Sequence, residues 1–212
     1  MEILLKLQKY SQQPISTQIL LLILKEYARP YDKIDELEEK GYLIQLRRGL
    51  YILGEKLNVQ QPELTLLSNH LYGPSYISLE TALFFWGLIP EKVYVTTAMT
   101  IKPTTRFDTK LGTFTYQHLS TPYYSYGIQT IMVTEKQSIL IGSPEKSICD
   151  KIITTPGILL RSIKQASQFL IDDLRIDIEL LSQMNTQEFE CLIPVCSKKG
   201  SIEKVIELIH VL

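Results

Sequence analysis

Apolar positions recur at period two on both sides of Arg47-Arg48-Gly49, with Tyr42, Ile44 and Leu46 before it and Leu50 and Ile52 after it. That alternation predicts two short strands joined by a tight turn. Gly49 supplies the backbone freedom the turn needs, and the two arginines stand at its tip. Upstream, the spacing turns helical. Glu2 to about Ser11 reads as a short helix with Ile3, Leu4 and Leu7 inward. A second helix starts at Pro14-Ile15-Ser16, with Ser16 as N-cap and Ile15 placed to staple onto Leu20. Residues 17–27 are apolar nearly all round, which predicts burial or a surface facing a partner. Pro30 disfavours helical geometry at Arg29. A third helix then runs from about Tyr31 to Lys40 and closes at Gly41. Three helices and a basic-tipped hairpin within residues 1–57 match the order of a winged helix-turn-helix, although an ordinary hairpin with a basic turn gives the same pattern.

A polar linker, Gly54 to Pro62, precedes a larger region over residues 58–212. Helices are predicted from Pro62 to His70 and, capped by Ser78, from Leu79 to Trp86. Runs rich in Thr, Val, Ile and Tyr then predict strands at Val93–Ala98, Thr113–Leu119, Ile128–Val133 and Ser138–Ile141. Ser143-Pro144-Glu145 is a helix start, with Ser at the cap, Pro at the first position and an acid in the first turn. From there to Leu212 the pattern is helical, interrupted at Pro156-Gly157, Asn185-Thr186 and Lys199-Gly200. The class expected is α+β: a winged helix-turn-helix, then a small sheet with a helical tail.

Composition narrows the functions. The longest apolar run, Ile19 to Leu24, is far short of the roughly 20 residues that cross a bilayer. No signal peptide pattern is visible, so a cytoplasmic location is expected. Three cysteines without a CxxC pair suggest neither a disulfide framework nor a zinc knuckle. The net charge of −1 means that any contact with nucleic acid must be local.

Few residues suggest catalysis. His70, His118 and His210 lie far apart and form no HxxxH pair, and no GxGxxG or phosphate loop occurs. Cys149-Asp150 reads as a buried small residue beside a surface carboxylate, and Glu145-Lys146 reads as solvated. The segment Ile101 to Lys110 is more suggestive. It sets Lys102, Arg106 and Lys110 among Thr104, Thr105 and Thr109, types that grip phosphate oxygens, although on residue types alone an exposed hairpin loop is the stronger explanation. Tyr123-Tyr124-Ser125-Tyr126 offers stacking faces or simply packing tyrosines.

The third helix poses a difficulty. At about 100° per residue, Ile34 and Leu37 face inward and the opposite pole carries Asp32, Asp35, Glu36 and Glu39. Such a face repels phosphates. DNA contact is therefore expected from Arg29, Tyr31 and Lys33 at the helix start and from Arg47 and Arg48 on the wing.

Several segments together resemble one known family. Gly41-Tyr42-Leu43-Ile44 with Arg47-Arg48-Gly49-Leu50-Tyr51 is similar to the wing of AbiEi-type antitoxins, the regulators of bacterial abortive-infection systems, with Gln45 in place of that pattern's first arginine. Tyr76 to Leu83 followed by Gly87-Leu88-Ile89-Pro90 resembles a helix of that family. Thr100-Ile101-Lys102-Pro103 through Leu111 to Tyr116 resembles its basic hairpin, and Ser143 to Asp150 its "A/S-x-E-K-A-L-x-D" helix start. The motifs follow in family order over about residues 16–155. The resemblance implies an autorepressor that binds inverted repeats in its own promoter, with a C-terminal domain that counters a nucleotidyltransferase-like toxin. It implies no catalysis and no cofactor. The residues expected to touch DNA are then Arg29, Tyr31, Lys33, Arg47, Arg48, Lys102, Thr104, Arg106 and Lys110. A module that neutralises a partner protein by direct contact is the alternative.

Overall fold

The computed structural model describes residues 2–212 and shows a mixed α+β architecture. It opens with α1 (Glu2–Gln8), β1 (Ile15–Ser16) and α2 (Thr17–Ile23). The Ser16 side chain accepts from the Ile19 amide at 3.4 Å, the cap its position predicts. Ile15 and Leu20 are both fully buried in one core with Leu7 and Leu24. The near-continuous apolar run does not bury all round, however. Leu20 and Leu24 share the inward face at i, i+4, whereas Leu22 points away from it and is 67% exposed.

Next comes α3 (Pro30–Glu39), with Pro30 in its first turn and Ile34 and Leu37 buried as expected. Gly41, at φ +73°, ends it. The Tyr42 amide reaches the Leu37 carbonyl at 2.8 Å and the Gly41 amide reaches that of Glu38 at 2.9 Å, a Schellman closure. The chain then enters β2 (Leu43–Arg47) and β3 (Leu50–Leu53), antiparallel, with β1 completing a three-stranded sheet in the order β1-β3-β2. A register shift falls between Gln45 and Arg47, and alternation along the strands gives the hairpin two buried faces. Leu43, Tyr51 and Leu53 join the helical core, while Ile44, Leu46, Leu50 and Ile52 pack on the second region.

That second region begins with α4 (Leu64–Leu71), β4 (Ser75–Ile77) and α5 (Leu79–Phe85). The strands β5 (Val95–Thr100), β6 (Thr105–Thr109), β7 (Gly112–His118), β8 (Ile128–Thr134) and β9 (Gln137–Gly142) follow. They form a six-stranded mixed sheet in the order β6-β7-β5-β4-β9-β8. One face, carrying Ile77, Ala98, Phe114, Tyr116 and Ile141, packs with α4 and the hairpin. The other, carrying Tyr76 and Met99, is covered by α5, α6 (Pro144–Thr154) and the tail. The tail comprises α7 (Ile163–Ser167), a π-helical turn (Gln168–Asp173), α8 (Ile178–Ser182), α9 (Thr186–Leu192) and α10 (Lys199–Ile209). Among the described residues no helix is long and apolar enough to cross a membrane.

Candidate functional site

The cations singled out in the sequence divide by what surrounds them. On α3 they are matched by acids. Arg29 meets Asp32 at 2.7 Å, Lys33 meets Glu36 at 2.8 Å, and Lys40 joins the same carboxylate. Hydrogen bonds from those two lysines hold Glu36 down at about 2. Lys33 also lies 5.3 Å from the centre of the Tyr27 ring. Arg106, on the edge strand β6, forks onto Asp108 with Nε 3.0 Å from both oxygens, and Thr113 donates to the same carboxylate. The Arg106 guanidinium accordingly holds Asp108 below the usual carboxylate range. These three sequence candidates face acids, so most of their field is cancelled locally.

The hairpin tip and the β5–β6 loop differ. Arg47 donates from Nε to the Leu71 carbonyl at 2.7 Å, and Lys102 donates from Nζ to the Gly73 carbonyl. Both acceptors lie at or just beyond the end of α4, where free carbonyls carry the negative end of the helix dipole. The two carbonyls are two residues apart, so cations 55 positions apart in sequence are tied to one short stretch of chain. Arg48 extends from the same turn into solvent. Gly49, at φ +83°, allows that turn to close, and its carbonyl accepts from the Thr17 amide. Among the described residues no carboxylate lies within salt-bridge distance of Arg47, Arg48 or Lys102.

The loop is held rather than loose. Lys102 sits 5.0 Å over the Tyr72 ring, and the Tyr72 hydroxyl donates to the Pro103 carbonyl at 3.3 Å. Tyr72 itself packs on Phe107 and Tyr116. Thr104 accepts from the His118 amide, and the His118 ring lies 3.1 Å from the Lys102 carbonyl. Thr104 therefore positions the loop through its hydroxyl. Lys110 is exposed at the β6–β7 turn, lining a cleft with Glu38 and Glu55, and Tyr31 is exposed on α3.

A second constellation was missed as chemistry. Asp150 is fully buried, not a surface carboxylate, and Lys146 is buried beside it at 3.3 Å. Tyr76 and Ser78 donate to one Asp150 oxygen at 2.8 and 2.7 Å, and Tyr123 donates to the other at 2.8 Å. Lys146 donates to the Tyr123 carbonyl at 2.9 Å and lies 3.2 Å from that ring's centre. Burial pushes Tyr76 and Tyr123 well above the usual phenol range and pulls Lys146 down. Ser78 stands at the N-cap of α5, but its hydroxyl is spent on Asp150. Ser143 does cap α6, accepting from the Lys146 amide at 3.1 Å. Lys146 and Asp150 are one turn apart on that helix, a spacing that signals a facing pair; nothing local in the sequence says it faces inward. The node is filled: a Cβ at Gly127 would come within 2.9 Å of the Lys146 Cβ.

No protein-family model matches the chain, and no curated protein matches it in sequence. Among solved structures it is similar to the crystal structure of the RV2827C protein from Mycobacterium tuberculosis, with a TM-score of 0.52 at 14% identity. That likeness covers 98% of this chain and 79% of the other. It concerns the fold alone.

Proposed function

We propose that the chain is an autorepressor and antitoxin of a two-gene module, as its resemblance to AbiEi-type antitoxins implies. In this reading residues 1–57 act as a winged helix-turn-helix on promoter DNA carrying inverted repeats. Residues 58–212 counter a nucleotidyltransferase-like toxin, and the protein itself catalyses nothing and needs no cofactor. The observation that carries the reading is that Arg47 and Lys102 are held by carbonyls at or just past the end of α4, with Arg48 on the same turn as Arg47 and, among the described residues, no carboxylate within salt-bridge distance of any of the three. Carbonyl partners orient these cations without cancelling their charge, so a phosphate can add to the same groups. The motifs also converge: those around Tyr76–Ser78 and Lys146–Asp150, far apart in sequence, meet at one buried node.

Within this reading the acid-rich face of α3 tilts away from the duplex. Contact falls on the hairpin tip and the β5–β6 loop, and Arg29, Lys33 and Arg106 contribute little. The test is a gel shift on the DNA upstream of the gene, with unrelated DNA of equal length as competitor. The reading expects a specific shift that weakens steeply with salt. No shift at low salt overturns it. Co-purification of the neighbouring gene's product without any shift favours direct neutralisation of a partner instead, a reading that the acidity of α3 also supports.

A further inference from the structure

Between α1 and the end of α2 runs a groove of about 370 Å³ lined by Lys6, Lys9, Tyr10, Leu22, Lys25 and Glu26. Its lining mixes apolar side chains with three lysines and one acid, Glu26. Lys6 is engaged, 2.8 Å from Glu2 and 3.8 Å from Glu26. Lys9 and Lys25 are exposed and, among the described residues, have no carboxylate within salt-bridge distance. Leu22 stands 67% exposed in this groove. Leu5, one turn before Lys9 on α1, is 60% exposed.

The outward side of α3 has the opposite character. Tyr31, Asp35 and Glu39 follow one another at i, i+4 and i+8 and are all exposed. They form a stripe in which an aromatic ring precedes two acids at intervals of about 6 Å. The flanking acids Asp32 and Glu36 are already paired with Arg29, Lys33 and Lys40, whereas Asp35 and Glu39 have no cation within salt-bridge distance among the described residues. An acidic stripe with an exposed ring and a lysine-lined groove with an exposed leucine are complementary in charge, and each carries an apolar side chain for the other to cover.

We infer that the groove is a docking site for α3 of a second copy of this chain. Tyr31 packs over Leu22, and Asp35 and Glu39 face Lys25 and Lys9. Every copy carries both surfaces, so the contact is either reciprocal in a two-fold pair or head-to-tail in a longer assembly. It gives the acidity of α3 a purpose that contact with a phosphate backbone does not. No nucleic acid takes part, so the test is independent of the promoter reading.

The test is sedimentation of the full chain over a range of concentrations, at low ionic strength and at about 0.5 M salt, where exposed charges are screened within a few ångström. The expected result is a mass that rises above 24.4 kDa with concentration at low salt and falls back at high salt. Lys9→Glu with Lys25→Glu, and separately Asp35→Lys with Glu39→Lys, each weaken association by about tenfold or more. Mixing these two variants restores it, because each then offers what the other needs. Circular dichroism establishes that both variants are folded. A wild-type chain that stays at 24.4 kDa in every condition overturns the inference. So does association that both variants retain, or a mixture of the two that remains monomeric.

Discussion

Two lysines, Lys146 and Lys102, each form a cation–π contact with a tyrosine and donate to a backbone carbonyl, yet their surroundings give them opposite uses. Lys146 is sealed in the second core with Asp150 and three hydroxyl donors, so every polar group there is occupied. Lys102 lies in solvent on the Gly73 carbonyl, with no carboxylate within salt-bridge distance among the described residues. The first arrangement fixes how α6 sits against β4 and α5; the second leaves capacity for an anion. A cation's role is set by whether a carboxylate shares its burial, and neither local sequence nor net charge records that.

Breaking the buried side of this comparison should have the largest effect. Asp150→Ala leaves a buried ammonium uncompensated and three hydroxyls without their acceptor. Urea denaturation should show a loss of about 3–5 kcal/mol. An unchanged midpoint would mean that the node contributes nothing. The double change Lys146→Met with Asp150→Leu removes both charges at similar volume. It should lie closer to wild type than Asp150→Ala does, by about 1–4 kcal/mol in the same assay. A double variant less stable than the single would show that the hydroxyl network, rather than the ion pair, dominates.

Alkaline titration sharpens the same contrast by a smaller amount. Tyr116 is raised to about 12 by burial, and Tyr76 and Tyr123 move in the same direction. A phenol whose folded pKa lies above its unfolded value stabilises the native state fully below about pH 10 and loses that contribution as pH rises toward about 12. Lys146, depressed in the fold by burial, acts in the opposite sense, but its contribution stops rising near the ordinary lysine value of about 10.5, below most of the phenol range. The urea midpoint should therefore fall from about pH 10 upward, and less steeply in Tyr116→Phe. A midpoint flat to about pH 12 would contradict this assignment. The smallest effect belongs to Arg106→Ala. Asp108 already neutralises Arg106, so promoter affinity should change by less than about twofold in gel shifts. A tenfold loss would place Arg106 at the phosphate.

Much of this fold is legible in the sequence. Ser16, Gly41, Gly49 and Ser143 mark caps and turns through their own conformational chemistry, and the structure places each one as that chemistry requires. β1, β4 and β6 were not legible. The first two are only two and three residues long, and β6 is the polar run Thr105–Thr109. Their pairing comes from neighbours distant in sequence. Residue type marks Arg47 and Lys102 as candidates, but their attachment to carbonyls two residues apart at or just past the end of α4 depends on tertiary packing. Glu145, Lys146 and Asp150 were misread because a charged helix face reads as solvated until a partner covers it; all three are buried. Of the two readings the apolar run 17–27 allows, Leu20 and Leu24 take burial and Leu22 an exposed side, since an apolar run does not say which of its sides lacks a neighbour.

The central claim is that the hairpin tip and the β5–β6 loop form one phosphate-binding patch. It is tested most directly by the slope of log K against log salt for promoter DNA, measured for wild type, Arg48→Ala, Lys102→Ala and the double variant. Each single change should lower the slope by about one and the double by about two, with the urea midpoint unchanged in Arg48→Ala. Slopes equal to wild type in all three variants would contradict the claim.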